Sequence, residues 1–192
     1  MIDLSGKTIL ITGSSKGIGK QMCYRFSTFG ARIISHIRKR TDEHIEFINN
    51  LPSNTQNEHV IFESELSDLD QFKKNLINIT KQYEIYGLVN NAGITHNAIL
   101  AMTNIVDLQK QLTINTIVPF ISSQIVSKKM IRRKQGSILN VVSTAAFDGN
   151  KGKIAYGSSK SATVAMTQSL SRELGPYNVR VNAIAPGITN TS

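Results

Sequence analysis

A tyrosine and a lysine lie four residues apart in the last quarter of the chain, at Tyr156 and Lys160. A helix is predicted to begin near Ile154, and a spacing of four places both side chains on one face of it. An ammonium beside a phenol stabilises the phenolate form, which makes the tyrosine a better proton donor at neutral pH. The pair therefore suggests acid catalysis, although Tyr and Lys at this spacing are also common on helices without a catalytic role.

A glycine-rich turn near the N-terminus has the residue types of a phosphate-binding loop. It reads Thr12-Gly13-Ser14-Ser15-Lys16-Gly17-Ile18-Gly19, directly after a β-branched run and directly before a predicted helix. Glycines let the backbone approach a pyrophosphate closely, and a helix N-terminus supplies free N–H groups. The strand before the turn and the helix after it favour nucleotide binding over a turn that is only structural.

The hydrophobic pattern predicts the scaffold that positions these residues, because short β-branched runs alternate with amphipathic ones along the chain. Strands are predicted over 7–12, 32–37, 59–63, 87–90, 137–142 and 180–185. Helices are predicted over 18–29, 42–51, 68–83, about 104–133 and about 154–174, with a polar loop over 52–58. The alternation predicts an α/β fold in one domain, a doubly wound parallel sheet whose ligands bind beyond the carboxyl ends of its strands.

Composition excludes several classes of protein. The chain has 192 residues, of which 40% are hydrophobic, so it can bury a core and is not intrinsically disordered. No window has the roughly 18 to 20 uncharged apolar residues of a membrane-spanning helix, and the N-terminus lacks a signal-peptide pattern. We therefore expect a soluble, cytoplasmic protein. Its one cysteine, Cys23, allows neither an intrachain disulfide nor a thiolate metal site, and we expect no metal.

The net charge of +9 arises largely in one stretch. No acidic residue lies between Leu108 and Phe147, whereas six basic residues do. Five of them form what we name the basic cluster: Lys128, Lys129, Arg132, Arg133 and Lys134. Such a cluster could face nucleic acid, an acidic protein, a phosphorylated ligand or only water.

Three motifs in their order along the chain resemble the short-chain dehydrogenase/reductase family. They are the glycine-rich turn, Asn90-Asn91-Ala92-Gly93 after the fourth strand, and Tyr156-Gly-Ser-Ser-Lys160. Ser143 lies thirteen residues before the tyrosine, and Pro186-Gly187 follows the sixth strand. The resemblance runs from Met1 to Ser192 and implies a Rossmann-type fold.

The resemblance implies a role for each catalytic residue. Tyr156 would protonate a carbonyl oxygen as hydride arrives at the carbon, and Lys160 would favour the phenolate and hold the nicotinamide ribose. Ser143 would hydrogen-bond the substrate oxygen, and Asn115 would hold a water in the proton relay. The cofactor-binding residues it implies are Gly13, Ser15, Lys16, Gly17, Ile18, Gly19, Arg38, Glu65, Leu66, Asn91, Ala92, Gly93, Tyr156, Lys160, Pro186, Gly187 and Thr191.

Charge at the end of the second strand predicts NADPH as the cofactor. The sequence there is Ser35-His36-Ile37-Arg38-Lys39-Arg40, with no acidic residue before Asp42 to bond a ribose 2′-hydroxyl. Arg38 and Lys16 are the predicted contacts of a 2′-phosphate. After the third strand the family usually has Asp and a small apolar residue at the adenine, whereas this chain has Glu65-Leu66.

The substrate is predicted from a finer resemblance. Asn91 to Thr95 and Asn97 to Leu100 are similar to a stretch of β-ketoacyl-acyl carrier protein reductases of fatty acid synthesis, although His96-Asn97 stands where those enzymes often have Arg-Asp. The resemblance also implies a homo-oligomer and an acidic carrier protein docked at Lys128 and Arg172. A reductase of another small carbonyl or alcohol substrate is the alternative.

Length leaves two interpretations open. Family members continue after the segment that ends here at Ser192, through a substrate-covering loop, a helix and a seventh strand. A natural length of 192 residues would indicate a non-catalytic nucleotide-binding remnant, whereas a fragment would leave the enzyme interpretation standing. The retained catalytic residues favour a fragment. Nucleic-acid binding has no recognition motif behind it, and we do not expect it.

Overall fold

The computed structural model describes residues 2–53 and 58–189. The strands are β1 (Thr8–Ile11), β2 (Arg32–Ile37), β3 (Val60–Glu63), β4 (Ile85–Asn90), β5 (Gly136–Val141) and β6 (Val179–Ile184). The helices are α1 (Gly17–Thr28), α2 (Asp42–Asn49), α3 (Leu69–Gln82), α4 (Ile105–Leu112), α5 (Val118–Arg133), α6 (Ala145–Asp148) and α7 (Ile154–Leu174).

The six strands form one parallel sheet in the order β3-β2-β1-β4-β5-β6. Leu10 of β1 lies opposite Ile34 of β2 on one side and Leu88 of β4 on the other. The strand order reverses between β1 and β4, which opens a crevice at their carboxyl ends. The predicted α/β class and six-stranded parallel sheet are confirmed.

Alternating side chains of the strands build two hydrophobic layers. Leu10, Ile34 and Leu88 are fully buried on one face of the sheet, in a cluster that includes Phe72 of α3 and Met130 of α5. The other face carries a second cluster of buried residues: Ile9, Ile11, Ile33, Val89, Val141, Cys23 of α1 and Ile48 of α2. Burial on both faces explains why the strands read as nearly continuous apolar runs.

The predicted long helix over 104–133 is interrupted in the structure. A π-helical turn, Thr113–Ile117, separates α4 from α5. Pro119 has no N–H to donate to the carbonyl of Asn115, and that carbonyl instead accepts a bond of 2.8 Å from the hydroxyl of Thr163. The interruption lies at a predicted site residue, which is common for π-helical turns.

Other differences from the predicted elements are small. β4 begins at Ile85, two residues earlier than predicted, and the short helix α6 was not predicted. Residues 54–57 of the predicted polar loop and the predicted contact Thr191 lie outside the described residues. Within the described part of the chain, no helix is long and apolar enough to cross a membrane.

Candidate active site

The turns after β1 and β4 are bound to each other by Thr12 and Asn91. The Thr12 hydroxyl accepts from the N–H groups of Asn91 and Ala92, each at 3.0 Å. The Asn91 side chain donates to the carbonyl oxygens of Thr12 at 2.9 Å and Gly13 at 2.8 Å. The predicted glycine-rich turn and the predicted Asn-Ala-Gly segment therefore form one continuous floor of the crevice.

Glycine is required at two positions of this floor. Gly13 has a φ of 65°, and a Cβ added there would lie 2.7 Å from the Cα of Ala92. A Cβ on Gly19 would lie 2.5 Å from both the Gly13 oxygen and the Asn91 amide nitrogen. Glycine at these two positions therefore lets the two turns pack directly against each other.

The N-terminus of α1 opens onto the same floor. Lys16 occupies the N-cap position without bonding the helix through its side chain, and the first turn has no acidic residue. The leading N–H groups and the positive end of the helix dipole therefore remain for an anion. This arrangement fits the pyrophosphate of a dinucleotide.

The buried side chain of His36 is hydrogen-bonded to the glycine-rich turn, and sequence reasoning missed this role. Its Nδ1 accepts from the N–H of Gly13 at 3.3 Å, and its Nε2 bonds the Ser64 carbonyl at 3.0 Å. The side chain is 2% exposed, and burial lowers its pKa to about 4, so it is neutral at physiological pH. The neutral ring ties the ends of β1, β2 and β3 together.

The two residues predicted to contact a 2′-phosphate lie at the carboxyl edge of the sheet. Arg38 and Lys16 are exposed, at the end of β2 and the start of α1. Within the described residues neither forms an ion pair, whereas nearby Arg40 lies 3.4 Å from Glu63. Two cations are thus available to a ligand at the point where the sequence predicts them.

Glu65 and Leu66 differ in what they can offer an adenine. Leu66 is 8% exposed and packs in the core, so its backbone is the part that faces a ligand. The Glu65 carboxylate accepts from the N–H and the hydroxyl of Ser67, at 3.0 and 2.9 Å. The pKa of Glu65 is lowered, chiefly because its carboxylate accepts the bond from the Ser67 N–H. The charge of Arg38 lowers the pKa further, whereas desolvation raises it.

Lys160 is a buried cation at the carboxyl end of β5. It is 4% exposed, and its Nζ donates to the Val141 carbonyl at 2.7 Å. The Nζ lies 5.9 Å from the centroid of the Tyr156 ring. Burial lowers the pKa of Lys160 to about 8, so the ammonium form still predominates at neutral pH. The predicted pair is therefore brought together in the crevice.

Asn115 joins the same group of residues through the π-helical turn. It is fully buried, and its Oδ1 accepts from the N–H of Ile94 at 2.8 Å. Its Nδ2 donates to the Ile94 carbonyl and to the Ser159 hydroxyl, each at 2.9 Å. A Cβ on Gly93 would lie 3.3 Å from both the Asn115 Oδ1 and the Lys160 Nζ. Asn115, Gly93 and Lys160 therefore form one cluster.

Gln111 repeats this arrangement one helical turn earlier, and sequence reasoning missed it too. It is 1% exposed, its Oε1 accepts from the N–H of His96 at 3.1 Å, and its Nε2 donates to the His96 carbonyl at 3.5 Å. Two amide side chains four residues apart thus hold the chain that follows Gly93. That spacing of Gln and Asn on one helix face was the available signal.

Ser143 lies two residues after the end of β5. Its hydroxyl oxygen accepts from the N–H of Ala145 at 3.3 Å, which leaves its hydrogen free to donate. The N–H of neighbouring Thr144 donates to the Pro186 carbonyl at 3.4 Å. Ser143 and the Pro186-Gly187 turn therefore lie together at the carboxyl edge, beside the strand whose end bonds Lys160.

Lys128 and Arg172 lie elsewhere. Both are exposed near the C-terminal ends of α5 and α7, which run back to the amino edge of the sheet. Arg172 is sixteen residues after Tyr156 on α7, a rise of roughly 24 Å. Docking of a carrier protein at Lys128 and Arg172 therefore stays a prediction, and within one chain Arg172 lies far along α7 from Tyr156.

Comparisons with known proteins agree with this geometry. A profile of the family described as short chain dehydrogenase matches residues 7–192. The chain is 35% identical to the 3-oxoacyl-[acyl-carrier-protein] reductase of Thermotoga maritima over 98% of this chain and 76% of that protein. It is 30% identical to the L-xylulose reductase of Caenorhabditis elegans over 98% of this chain and 74% of that protein.

A solved structure gives the same result for the fold. The 3-oxoacyl (acyl-carrier-protein) reductase of Agrobacterium tumefaciens, with NADP bound, matches at a TM-score of 0.92 and 27% identity. The match covers 100% of this chain and 73% of that one. The chain thus spans about three quarters of the length of these relatives.

Proposed function

Because this chain belongs to the short-chain dehydrogenase/reductase family, we propose that it uses NADPH to reduce a 3-oxoacyl thioester to the 3-hydroxyacyl form. The observation that carries the proposal is the buried Lys160 ammonium, 5.9 Å from the Tyr156 ring and beside Gly93 and Asn115. A cation held there can stabilise the phenolate that remains after Tyr156 gives up its proton. Reactions of this kind serve fatty acid or related acyl-chain synthesis.

Each residue has a part in the proton transfer. NADPH, when bound, supplies the hydride that reaches the carbonyl carbon. Tyr156 donates its phenolic proton to the carbonyl oxygen, and Ser143 donates a hydrogen bond to the same oxygen. The backbone carbonyl oxygen of Asn115 accepts a hydrogen bond from the Thr163 hydroxyl through one lone pair. Its second lone pair can accept a hydrogen bond from the relay water that the family resemblance implies.

The cofactor is assigned from the residues around the crevice. Gly13, Gly19 and the α1 N-terminus hold the pyrophosphate, and Arg38 and Lys16 contact the 2′-phosphate. The NADP bound in the Agrobacterium reductase supports this choice. The floor around Asn91, Ala92 and Gly93 would receive the nicotinamide half, with Thr191 as a further contact.

Exposed apolar side chains around the crevice support an acyl substrate over a sugar. Ala98 bonds to Gly152 through its N–H at 2.9 Å, which brings the segment after β4 beside the start of α7. Exposed apolar residues of these two regions are Ile99, Leu100, Met102, Phe147 and Ile154. An apolar chain would cover them from water, whereas a polyol would not.

The proposal extends to assembly. We propose that residues 1–192 act as one nucleotide-binding domain and that copies associate through the π-helical turn and α5, where Ile117 and Phe120 are 40% and 50% exposed. An antiparallel pair of α5 helices would place the Lys128 end of one copy near the catalytic edge of the other. Acyl carrier protein could then dock at Lys128 and Arg172 of the neighbouring copy.

Turnover with defined substrates tests the proposed reaction. NADPH oxidation is expected with a 3-oxoacyl thioester, and little or none with L-xylulose. Tyr156→Phe should abolish turnover while NADPH still binds, and the matched variant Tyr177→Phe, at an exposed tyrosine remote from the crevice, should remain active. Turnover that persists in Tyr156→Phe would refute the assigned acid, and a preference for L-xylulose would refute the substrate class.

A further inference from the structure

A second cavity lies at the opposite edge of the sheet from the crevice. Its volume is about 320 Å³, within the range of small-ligand sites. The amino ends of β1, β2 and β4 and the end of α3 form its walls. Its side-chain lining includes Lys7, Arg32, Gln82, Tyr83, Tyr86 and Gln135.

Two cations of this lining are held over aromatic rings. The Lys7 Nζ lies 4.6 Å from the Tyr86 ring centroid, and the Arg32 Cζ lies 5.6 Å from that of Tyr83. Within the described residues, neither cation has a carboxylate partner. The rings hold the cations in place without neutralising their charge.

The one acid of the lining is already paired. Glu84 lies 3.2 Å from the Arg133 Nε, and Arg133 also donates to the Ile85 carbonyl at 2.8 Å. Lys129 donates to the Thr80 carbonyl in the last turn of α3. Lys129 therefore covers the negative C-terminal end of α3, which would otherwise repel an anion. The cavity therefore keeps a net positive charge.

The guanidinium of Arg32 gives an independent sign of a ligand. Its Nε is buried and has no hydrogen-bond acceptor among the described residues. A buried charged donor without an acceptor is costly, and such groups are rare in folded proteins. The uncompensated charge of this guanidinium favours an anion in the adjacent cavity.

We propose that this cavity binds a small anion that carries a phosphate group. A phosphate accepts from both the planar fork of Arg32 and the point charge of Lys7. The amides of Gln82 and Gln135 and the two tyrosine hydroxyls supply neutral hydrogen-bond donors. The space suits a compact ligand, because 320 Å³ corresponds to roughly ten water molecules.

Calorimetric titration with pyrophosphate in the presence of saturating NADP tests the site, because the cofactor then occupies the pyrophosphate-binding turn of the crevice. Arg32→Gln and Lys7→Gln should each weaken binding by about tenfold or more. Lys128→Gln, an exposed cation outside the cavity, should leave the Kd unchanged. Inorganic phosphate and a phosphorylated three-carbon acid, titrated in parallel, distinguish a free-phosphate site from one for an organic phosphate.

Several outcomes would overturn the proposal. Unchanged binding in both cavity variants would do so, as would an equal loss in Lys128→Gln, which would indicate attraction by net charge alone. Binding that disappears when NADP fills the crevice would place the anion in the cofactor crevice. If Arg32→Gln lowers the Tm, the result from Lys7→Gln decides, because Lys7 is half-buried and lies before β1, outside the core of the sheet.

Discussion

Burial of the Lys160 ammonium makes the stability of the protein depend on pH in a direction that can be measured. The folded-state pKa is about 8, against 10.5 for a solvated lysine, and desolvation is the cause. Between these two values the unfolded chain binds more protons than the folded one. The free energy of unfolding therefore rises with pH through this window, because the charge that burial penalises is lost from the folded state first.

The magnitude follows from the size of the shift. At a little over 1 kcal/mol per pKa unit, the difference between about 8 and 10.5 corresponds to about 3 kcal/mol. Between pH 7 and pH 10, about 2 to 3 kcal/mol of this should appear as increased stability of the wild type relative to Lys160→Met. Methionine has a similar length and no charge. The variant lacks the hydrogen bond from Lys160 to the Val141 carbonyl, and the stability lost in this way does not vary with pH.

Urea unfolding of both proteins at a series of pH values gives the comparison. The difference in the free energy of unfolding should grow in favour of the wild type as pH rises, with similar m-values in both proteins. Lys151→Met, at an exposed lysine before α7, is the matched control and should show no such trend. A difference that stays constant with pH, or that falls, would refute the claim that burial dominates the environment of Lys160.

Three further changes test other parts of the crevice. Arg38→Gln should raise the KM for NADPH by about tenfold or more and leave that for NADH nearly unchanged; equal changes would contradict the 2′-phosphate assignment. Gly19→Ala should abolish NADPH binding and lower the Tm, since its Cβ meets backbone at 2.5 Å, whereas Gly175→Ala, with open space around it, should be nearly neutral in thermal melts. Gln111→Leu should cost about 1 kcal/mol in urea unfolding because the backbone N–H and carbonyl of His96 lose the buried Gln111 amide as their partner; no change would show that water replaces the amide.

The sequence was sufficient for those parts of the site that follow local rules. Tyr156 and Lys160 share a helix face, and the glycine turn lies between a strand and a helix, so neighbouring residues alone determine both arrangements. The parallel sheet follows from the alternation of elements, and it places the ends of β1, β4 and β5 at one edge. The spacing of residues along single elements and the connection rule for parallel sheets together predict which segments line most of the crevice.

Contacts between distant elements could not be predicted in this way. His36 lies in a strand and bonds Gly13 and Ser64, which are 23 and 28 residues away. A histidine in such a run has no sequence signal that distinguishes a bonded, neutral ring from a charged surface group. Its environment depends on the order β3-β2-β1, which a pattern of strands and helices does not specify.

The π-helical turn shows how two distant residues can change a local prediction. A mid-helix Asn115 reads as a solvated surface residue, and Pro119 four residues later is tolerated near a helix start. Only the packing of α7 against this turn places the Thr163 hydroxyl at the freed carbonyl of Asn115. The side chain of Asn115 then points to Ile94 and Ser159, and a surface position becomes part of the site.

The structure also changes how the basic cluster is interpreted. Lys129 and Arg133 donate to carbonyl groups of α3 and β4, so part of its charge serves the fold and is not available to a large partner. Nucleic acid would need these cations free along one surface. Arg38 and Lys16 at the carboxyl edge and Lys7 and Arg32 at the amino edge form two separate pairs of cations, and within the described residues none of the four has a carboxylate partner. Two compact phosphate-bearing ligands explain that distribution better than one extended polyanion.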